Sequence, residues 1–321
     1  LGKRSVQGVV VSLRTTSKYK EDIKSISGLV DNIPVLTAEL WELILWISHY
    51  YVTPIGQVAR TVLPGRLNTR YTPPKNWYVK STGVVDEIEI DLLKRRAPKQ
   101  YIMFKEIWKA TKPLRTVSLK ALASDPLSIC RKLEKKSLVK LFQRTSLPDV
   151  TGFTFDPIHK EITFNHDQMK AVSEISSALI KKKYAPFLVH GVTGSGKTEI
   201  YIESVRQVIE QGRTGIILLP EISLTPQIAG RFRAVFGDTV ALWHSRLTHA
   251  QRSWTWMQIC QGSFKVVIGA RSAIFAPLQN VGLIVIDEEQ ESSYQQDSSV
   301  PRYHARDVAL MRGKLEKATV L

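Results

Sequence analysis

The chain has 321 residues, 43% of them apolar and 23% charged, with a formal net charge of +16. That length and apolar content supply core for two or three globular domains and exclude a disordered or low-complexity chain. No apolar run reaches the ~18 residues of a membrane span, so no membrane partner is expected; the opening Leu1-Gly2-Lys3-Arg4, neither an initiator Met nor a signal peptide, reads as the cut start of a longer cytoplasmic protein.

The charge is unevenly spread. Residues 1–150 hold 26 Lys and Arg against 13 Asp and Glu, whereas residues 151–321 hold 19 against 16. A phosphate-rich polymer held by the first half would account for this asymmetry, and a solvated basic surface is the alternative. Cys130 and Cys260 stand far apart with no partner at metal-ligand spacing, which fits a reduced protein whose cysteines pack.

In chain order, Gly8–Leu13 reads as a strand and Lys18–Lys24 as a polar loop. Thr37 can cap a helix whose apolar residues, from Leu40 to Tyr51, leave little polar face. That density argues for the core of a small domain, with base stacking by Trp41 or Trp46 as the other reading. Pro64, Pro73 and Pro74 mark an exit, giving a first, small β-rich domain at 1–75.

The stretch 76–150 reads as linker plus a winged helix. Helices are expected at 100–110, 116–123 and 127–136, followed by a hairpin within Ser137–Thr145. The third helix carries Arg131 and Lys132, placed to contact DNA unless the domain serves as a spacer or docking surface.

From 151 to 321 strands and helices alternate, the pattern of a doubly wound parallel sheet. Strands fit at 186–190, 215–220, 239–243, 265–269, 282–287 and 318–321; helices fit at 167–181, 197–210, 224–236, 249–261 and 304–314. Between the first strand and its helix lies Gly191-Val-Thr193-Gly194-Ser195-Gly196-Lys197-Thr198, a G-x-x-x-x-G-K-[ST] phosphate loop in the right context. Its glycines let successive N–H groups point into one anion site; Lys197 would meet the β- and γ-phosphates of ATP, and the Thr198 hydroxyl would ligate Mg2+. The aliphatic run Leu283–Ile286 ends on Asp287, a second Mg2+ ligand, and on Glu288, placed to orient and deprotonate water. Gln168, a short helix upstream, stands where helicases put an adenine-reading residue.

Several further segments complete a pattern. Leu219-Pro220-Glu221-Ile-Ser-Leu-Thr-Pro-Gln227, His244-Ser-Arg-Leu247, Ile268-Gly-Ala-Arg271-Ser-Ala-Ile-Phe-Ala-Pro277 and the stretch from Ser293-Tyr294-Gln through Pro301-Arg-Tyr303-His304-Ala-Arg306-Asp307 resemble the successive motifs of the primosomal protein N′ (PriA) family of bacterial replication-restart helicases. Leu1-Gly2-Lys and Ser48-His-Tyr-Tyr-Val-Thr-Pro-Ile-Gly56 resemble its DNA-end-binding domain, so the likeness spans nearly the whole chain.

The resemblance implies a RecA-like helicase lobe and an ATP-driven 3′→5′ DNA helicase, cytoplasmic and nucleoid-associated, that recognises stalled or branched forks and starts primosome assembly. It implies forked and single-stranded DNA, primosome proteins and single-strand-binding proteins as partners. It places Pro220, Glu221 and Arg271 along the single-strand track, and Tyr294, Tyr303, His304 and Arg306 in a loop coupling DNA to hydrolysis. Gly2 and Lys24 would correspond to part of a pocket for a 3′-terminal nucleotide. Zn2+ is implied only in a cysteine-rich region beyond Leu321, where the second motor lobe and its arginine would also lie; alone, this chain is expected to collect Mg-ATP but turn it over near background. Gln290 stands where the family commonly has His. The reading from another class is a structure-specific DNA-binding scaffold with a regulatory nucleotide site, disfavoured because a scaffold has no need of Glu288.

Overall fold

The structure is a computed structural model, which describes residues 8–10, 13–16, 23, 25–29, 33–65, 75–83, 87–111, 113–145, 163–192, 194–220 and 226–321. Leu1–Ile33 and Pro34–Leu321 are separate compact units. In the first, residues 8–10 and 13 are not in a strand, contrary to the expected Gly8–Leu13; a strand needs a neighbour for its N–H and C=O groups, and none pairs with them among the described residues.

In the second unit the sheet of residues 163–321 sets the frame. Strands β4 (Ala185–Pro186), β5 (Thr214–Leu218), β6 (Val240–Trp243), β7 (Val266–Gly269), β8 (Val281–Ile286) and β9 (Thr319–Val320) run parallel in the order β4-β9-β8-β5-β7-β6. Its central strands are buried on both faces, which is why they read as unbroken aliphatic runs. Alternate residues serve opposite layers. Leu283, Val285, Ile217 and Leu242 pack towards α6 (His166–Lys181), α7 (Lys197–Glu210) and α8 (Pro226–Phe236). Ile284, Ile216, Leu218 and Trp243 pack towards α9 (His249–Cys260) and α10 (Ala305–Glu316). The phosphate-loop strand β4 and the acid-bearing strand β8 are separated by β9, which opens a crevice at their C-terminal ends.

That second layer has two further members. Helices α1 (Ala38–Tyr50) and α2 (Ile55–Val62) contribute Leu40, Leu43, Ile44, Ile47, Val58 and Val62 to the same core, and Trp256 Nε1 donates to the Val35 carbonyl at 2.9 Å. Thr37 caps α1 as expected, its hydroxyl accepting from Leu40 N at 3.1 Å. The apolar density of α1 therefore serves the core of the large sheet instead of a small domain of its own. Each of its four fully buried side chains is worth about 1.5–3 kcal/mol of transfer free energy.

The basic middle segment forms a three-stranded sheet in the order β2-β1-β3 with helices packed around it. Strand β1 (Lys75–Ser81) is central and antiparallel to β2 (Leu114–Arg115) and β3 (Val139–Thr145). Around it lie α3 (Glu87–Arg96), α4 (Pro98–Lys109), a 3-10 turn at Thr116–Ala121 and α5 (Pro126–Lys135), capped by Asp125. The expected hairpin within Ser137–Thr145 is corrected here: the segment is one strand whose partner lies about sixty residues earlier, Val79 facing Leu141. Alternation of apolar residues fixes a strand but carries no information about its partner.

Candidate nucleotide site and the loop beside it

The phosphate loop leaves β4 and enters α7 at Lys197. Gly196 at φ +85° is the N-cap, in the left-handed region that favours glycine. A Cβ on Gly191 would stand 2.6 Å from Ser195 Oγ, so a side chain there would displace that hydroxyl from the interior of the loop. Lys197 Nζ donates to the Gly191 carbonyl at 2.8 Å and lies 3.2 Å from Glu288 Oε1. Loop lysine and acid-motif glutamate, 91 positions apart in sequence, thus meet across the crevice.

Asp287 follows β8, its N–H donating to the Leu218 carbonyl at 3.0 Å. Its Oδ1 accepts from the Tyr201 hydroxyl at 3.1 Å, and its carbonyl accepts from the Tyr294 hydroxyl at 2.7 Å. Burial lifts the Asp287 carboxyl above the ordinary range, and the Tyr201 hydrogen bond pulls it back. Glu288, at φ +49°, shifts the other way: the Gln290 amide donating to Oε2 at 2.8 Å, and then Lys197, hold its carboxyl below the usual range. The same burial, with Asp287 close by, drives the Tyr201 and Tyr294 phenols upward.

Thr198 is half-buried on the first turn of α7, one turn before Tyr201 and so on the same helix face. A magnesium ion fits this donor set. Among the described residues no group of three or more His, Cys, Asp or Glu is arranged to hold a metal ion by itself, so an ion here would be held by the Thr198 hydroxyl, the Asp287 carboxylate, phosphate oxygens and water. Gly191, Lys197, Tyr201, Glu288, Gln290 and Arg306 line a cleft of about 540 Å³ whose floor is the ends of β4, β8 and β9.

Gln168, expected to read an adenine edge, is occupied otherwise. Its Oε1 accepts from Asn165 N at 2.9 Å in a capping box, and its Nε2 donates to the Ser195 carbonyl at 2.8 Å. In this arrangement it fastens the phosphate loop to α6. Thr193, Glu221, Gly2 and Lys24 lie outside the described residues. Pro220 is buried just past β5, where Leu219 N donates to Gly269 O at 2.9 Å.

The segment 293–307, expected to couple DNA to hydrolysis, turns its two tyrosines inward. Tyr294 and Tyr303 are 0% and 1% exposed and have no face open to a base. Tyr303 meets Phe275 edge-on, with ring centroids 5.2 Å apart. Arg271, half-buried, sits 5.8 Å from the Tyr303 ring and donates to the carbonyls of Ser293, at 3.3 Å, and Gln295. These side chains are drawn inward because the segment packs against the acid motif and α10. His304 caps α10, its Nδ1 accepting from Arg306 N at 3.2 Å, and Arg306 reaches Glu289 Oε2 at 3.1 Å and Asp307 Oδ1 at 3.3 Å. Exposed Arg131 lies 5.7 Å from the Trp77 ring, which steadies its guanidinium on the surface of α5, with exposed Lys132 beside it.

Sequence reasoning missed Tyr201, for which the signal was its place three residues after Thr198 on one helix face. It also missed the bracing roles of Gln168 and Arg271, for which there was none.

Comparison with known proteins agrees in outline. Residues 1–64 match the PriA family described as 3'DNA-binding domain (3'BD), and residues 165–317 match the DEAD/DEAH box helicase family, which implies nucleotide use with a divalent metal. Among relatives, Replication restart protein PriA of Chlamydia pneumoniae is 37% identical over 320 residues, covering 98% of this chain and 42% of the relative. That of Bacillus subtilis is 30% identical over 384 residues, covering all of this chain and 48% of the relative. The chain thus spans less than half the length of these relatives. With a parallel α/β lobe, a phosphate loop facing an Asp-Glu acid pair, a 3′ DNA-binding match and likeness along its whole length, the chain belongs to the replication restart protein PriA family.

Proposed function

We propose that the protein carrying this chain is an ATP-driven 3′→5′ DNA helicase that recognises stalled or branched forks and begins primosome assembly. The observation that carries this reading is the contact of Lys197 with Glu288, next to Asp287 and the start of α7. Phosphates entering the loop compete with Glu288 for the Lys197 ammonium. Once that ion pair loosens, Glu288 loses one of the two interactions that depress its carboxyl and becomes a stronger base. Gln290 still holds its other oxygen, which aims it at the water. The water oxygen attacks the γ-phosphorus as the bond to the bridging oxygen breaks, and its proton passes to Glu288, giving ADP and phosphate. A Mg2+ held by Thr198 and Asp287 would neutralise charge on the β- and γ-phosphates.

We further assign residues 1–75 to DNA-end binding, 76–150 to linker and winged helix with Arg131 and Lys132 facing duplex, and 151–321 to the first motor lobe. Gly2 and Lys24 would touch a 3′ terminus, and Pro220, Glu221 and Arg271 would border the single-strand track after rearrangement. Adenine would be read by Gln168 only if it released Ser195. Primosome and single-strand-binding proteins would be partners of the whole protein, with Zn2+ and the second lobe's arginine supplied by regions outside this chain. The test is ATP turnover by the full-length protein with forked, single-stranded and duplex DNA, alongside Lys197→Ala. DNA-stimulated turnover abolished by the substitution, with DNA binding retained, is the expected outcome; normal turnover in Lys197→Ala overturns it.

A further inference from the structure

Tyr51 lies just past α1, within the stretch that matches the 3'DNA-binding domain, and its hydroxyl accepts the His304 N–H at 3.2 Å. The turn that aims it is closely determined. Tyr51 N donates to Ile47 O at 3.0 Å and Thr53 N to Ser48 O at 2.9 Å; Ser48 Oγ donates to Thr53 O at 2.7 Å and Thr53 Oγ to Tyr51 O at 2.9 Å. These bonds hold Val52, 89% exposed, at φ +46°. A β-branched residue rarely adopts that conformation, and it persists only where its surroundings enforce it.

What Tyr51 touches is the root of the acid cluster. His304 caps α10 through Arg306 N, Arg306 pairs with Glu289, and the adjoining Glu288 is shared between Gln290 and Lys197. The helix bearing Tyr51 is buried against α10 through Leu40, Leu43, Ile44 and Ile47, so a shift of α1 is passed to that cap.

We propose that Tyr51 is a positioning residue: its hydroxyl ties the end of α1 to the His304–Arg306 cap, so that a 3′ DNA end engaged by the N-terminal region is felt at Glu288 and Lys197. This rests on the helicase reading above. A single neutral hydrogen bond sets the scale of such coupling at about 2- to 10-fold.

The experiment uses the full-length protein and two DNAs of equal nucleotide content, a linear single strand with a free 3′ end and a covalently closed single-stranded circle. The wild type should turn over ATP faster on the linear strand. In Tyr51→Phe, kcat on the linear strand should fall about 2- to 10-fold, to the value on the circle, with KM for ATP unmoved and the His304 amide exchanging faster with solvent. Retained preference for ends, an unchanged His304 amide, or an equal loss on both DNAs would overturn the proposal. Should Tyr51→Phe not fold, the wild type suffices: exchange at the His304 amide must respond to the linear strand and not to the circle, and no difference overturns it. DNA-stimulated turnover without end preference removes this inference alone, whereas absence of any DNA stimulation removes the helicase reading itself.

Discussion

Replacing Tyr201 with Phe deletes one oxygen and leaves the ring lining the cleft. Its hydroxyl donates to Asp287 Oδ1 at 3.1 Å, and Tyr201 is 5% exposed, so water does not substitute freely. A hydrogen bond to a charged group contributes about 1.5–3 kcal/mol, and each 1.36 kcal/mol is tenfold, so turnover that needs ionised Asp287 should fall about 10- to 150-fold. The effect has a pH signature. Burial already holds the Asp287 carboxyl high, and the Tyr201 bond is the first of the interactions pulling it down. An acid with a raised pKa loses its ionised form as pH falls through that value; without the hydroxyl the pKa rises further, and the acidic limb of the ATPase profile moves to higher pH. The assay is DNA-stimulated ATPase of the full-length protein across the acid-to-neutral range, with Mg-ATP binding by calorimetry at each end. The variant's deficit should be largest at the acid end and shrink as pH rises. An acidic limb in the same place, or a deficit equal at all pH values, would refute the role given to this hydrogen bond.

Two further outcomes are expected. Arg131→Ser with Lys132→Ser should make the log–log salt dependence of duplex binding shallower by about 0.9 for each phosphate that is no longer neutralised, and an unchanged slope would return α5 to a structural role. Arg312 is 0% exposed, with Nη1 donating to the Ile274 carbonyl and with Nε and Nη2 each 3.4 Å from Glu316 Oε1. Arg312→Met should therefore cost about 3–5 kcal/mol in urea unfolding at pH 8, because Glu316 is left charged and unpaired. Burial already raises the Glu316 carboxyl, and losing the arginine raises it further. A group with a raised folded pKa destabilises more as pH climbs past its unfolded value, so the deficit should shrink towards pH 5; a loss independent of pH would contradict this.

Much of the lobe was legible because its elements carry local signals. Leu283–Ile286 is aliphatic since β8 is covered on both faces, and Lys197 opens α7 because glycine permits the φ +85° turn before it. Capping chemistry likewise put Thr37 at a true helix start. Legibility failed wherever a residue's role depends on a distant partner. The apolar density of α1 announced burial without saying that β8, β9 and α10 would be what buries it. The β3 segment showed strand periodicity without naming β1. Tyr294 and Tyr303 stand in a segment just past the acid motif, yet whether an aromatic ring stacks on a base or closes a core depends on which way that segment folds.

The sequence by itself determined the phosphate loop, the acid pair, the alternation of strands and helices, and the basic character of the first half, because spacing, glycine conformation and hydrophobic period act within a few residues. Only the tertiary structure decided that Lys197 meets Glu288, that Tyr201 steadies Asp287, that Gln168 braces the phosphate loop, and that Tyr51 reaches His304 across 253 positions. Such contacts form between side chains brought together by burial of other residues, here the two faces of one six-stranded sheet, and no local pattern in the chain encodes a distance between them.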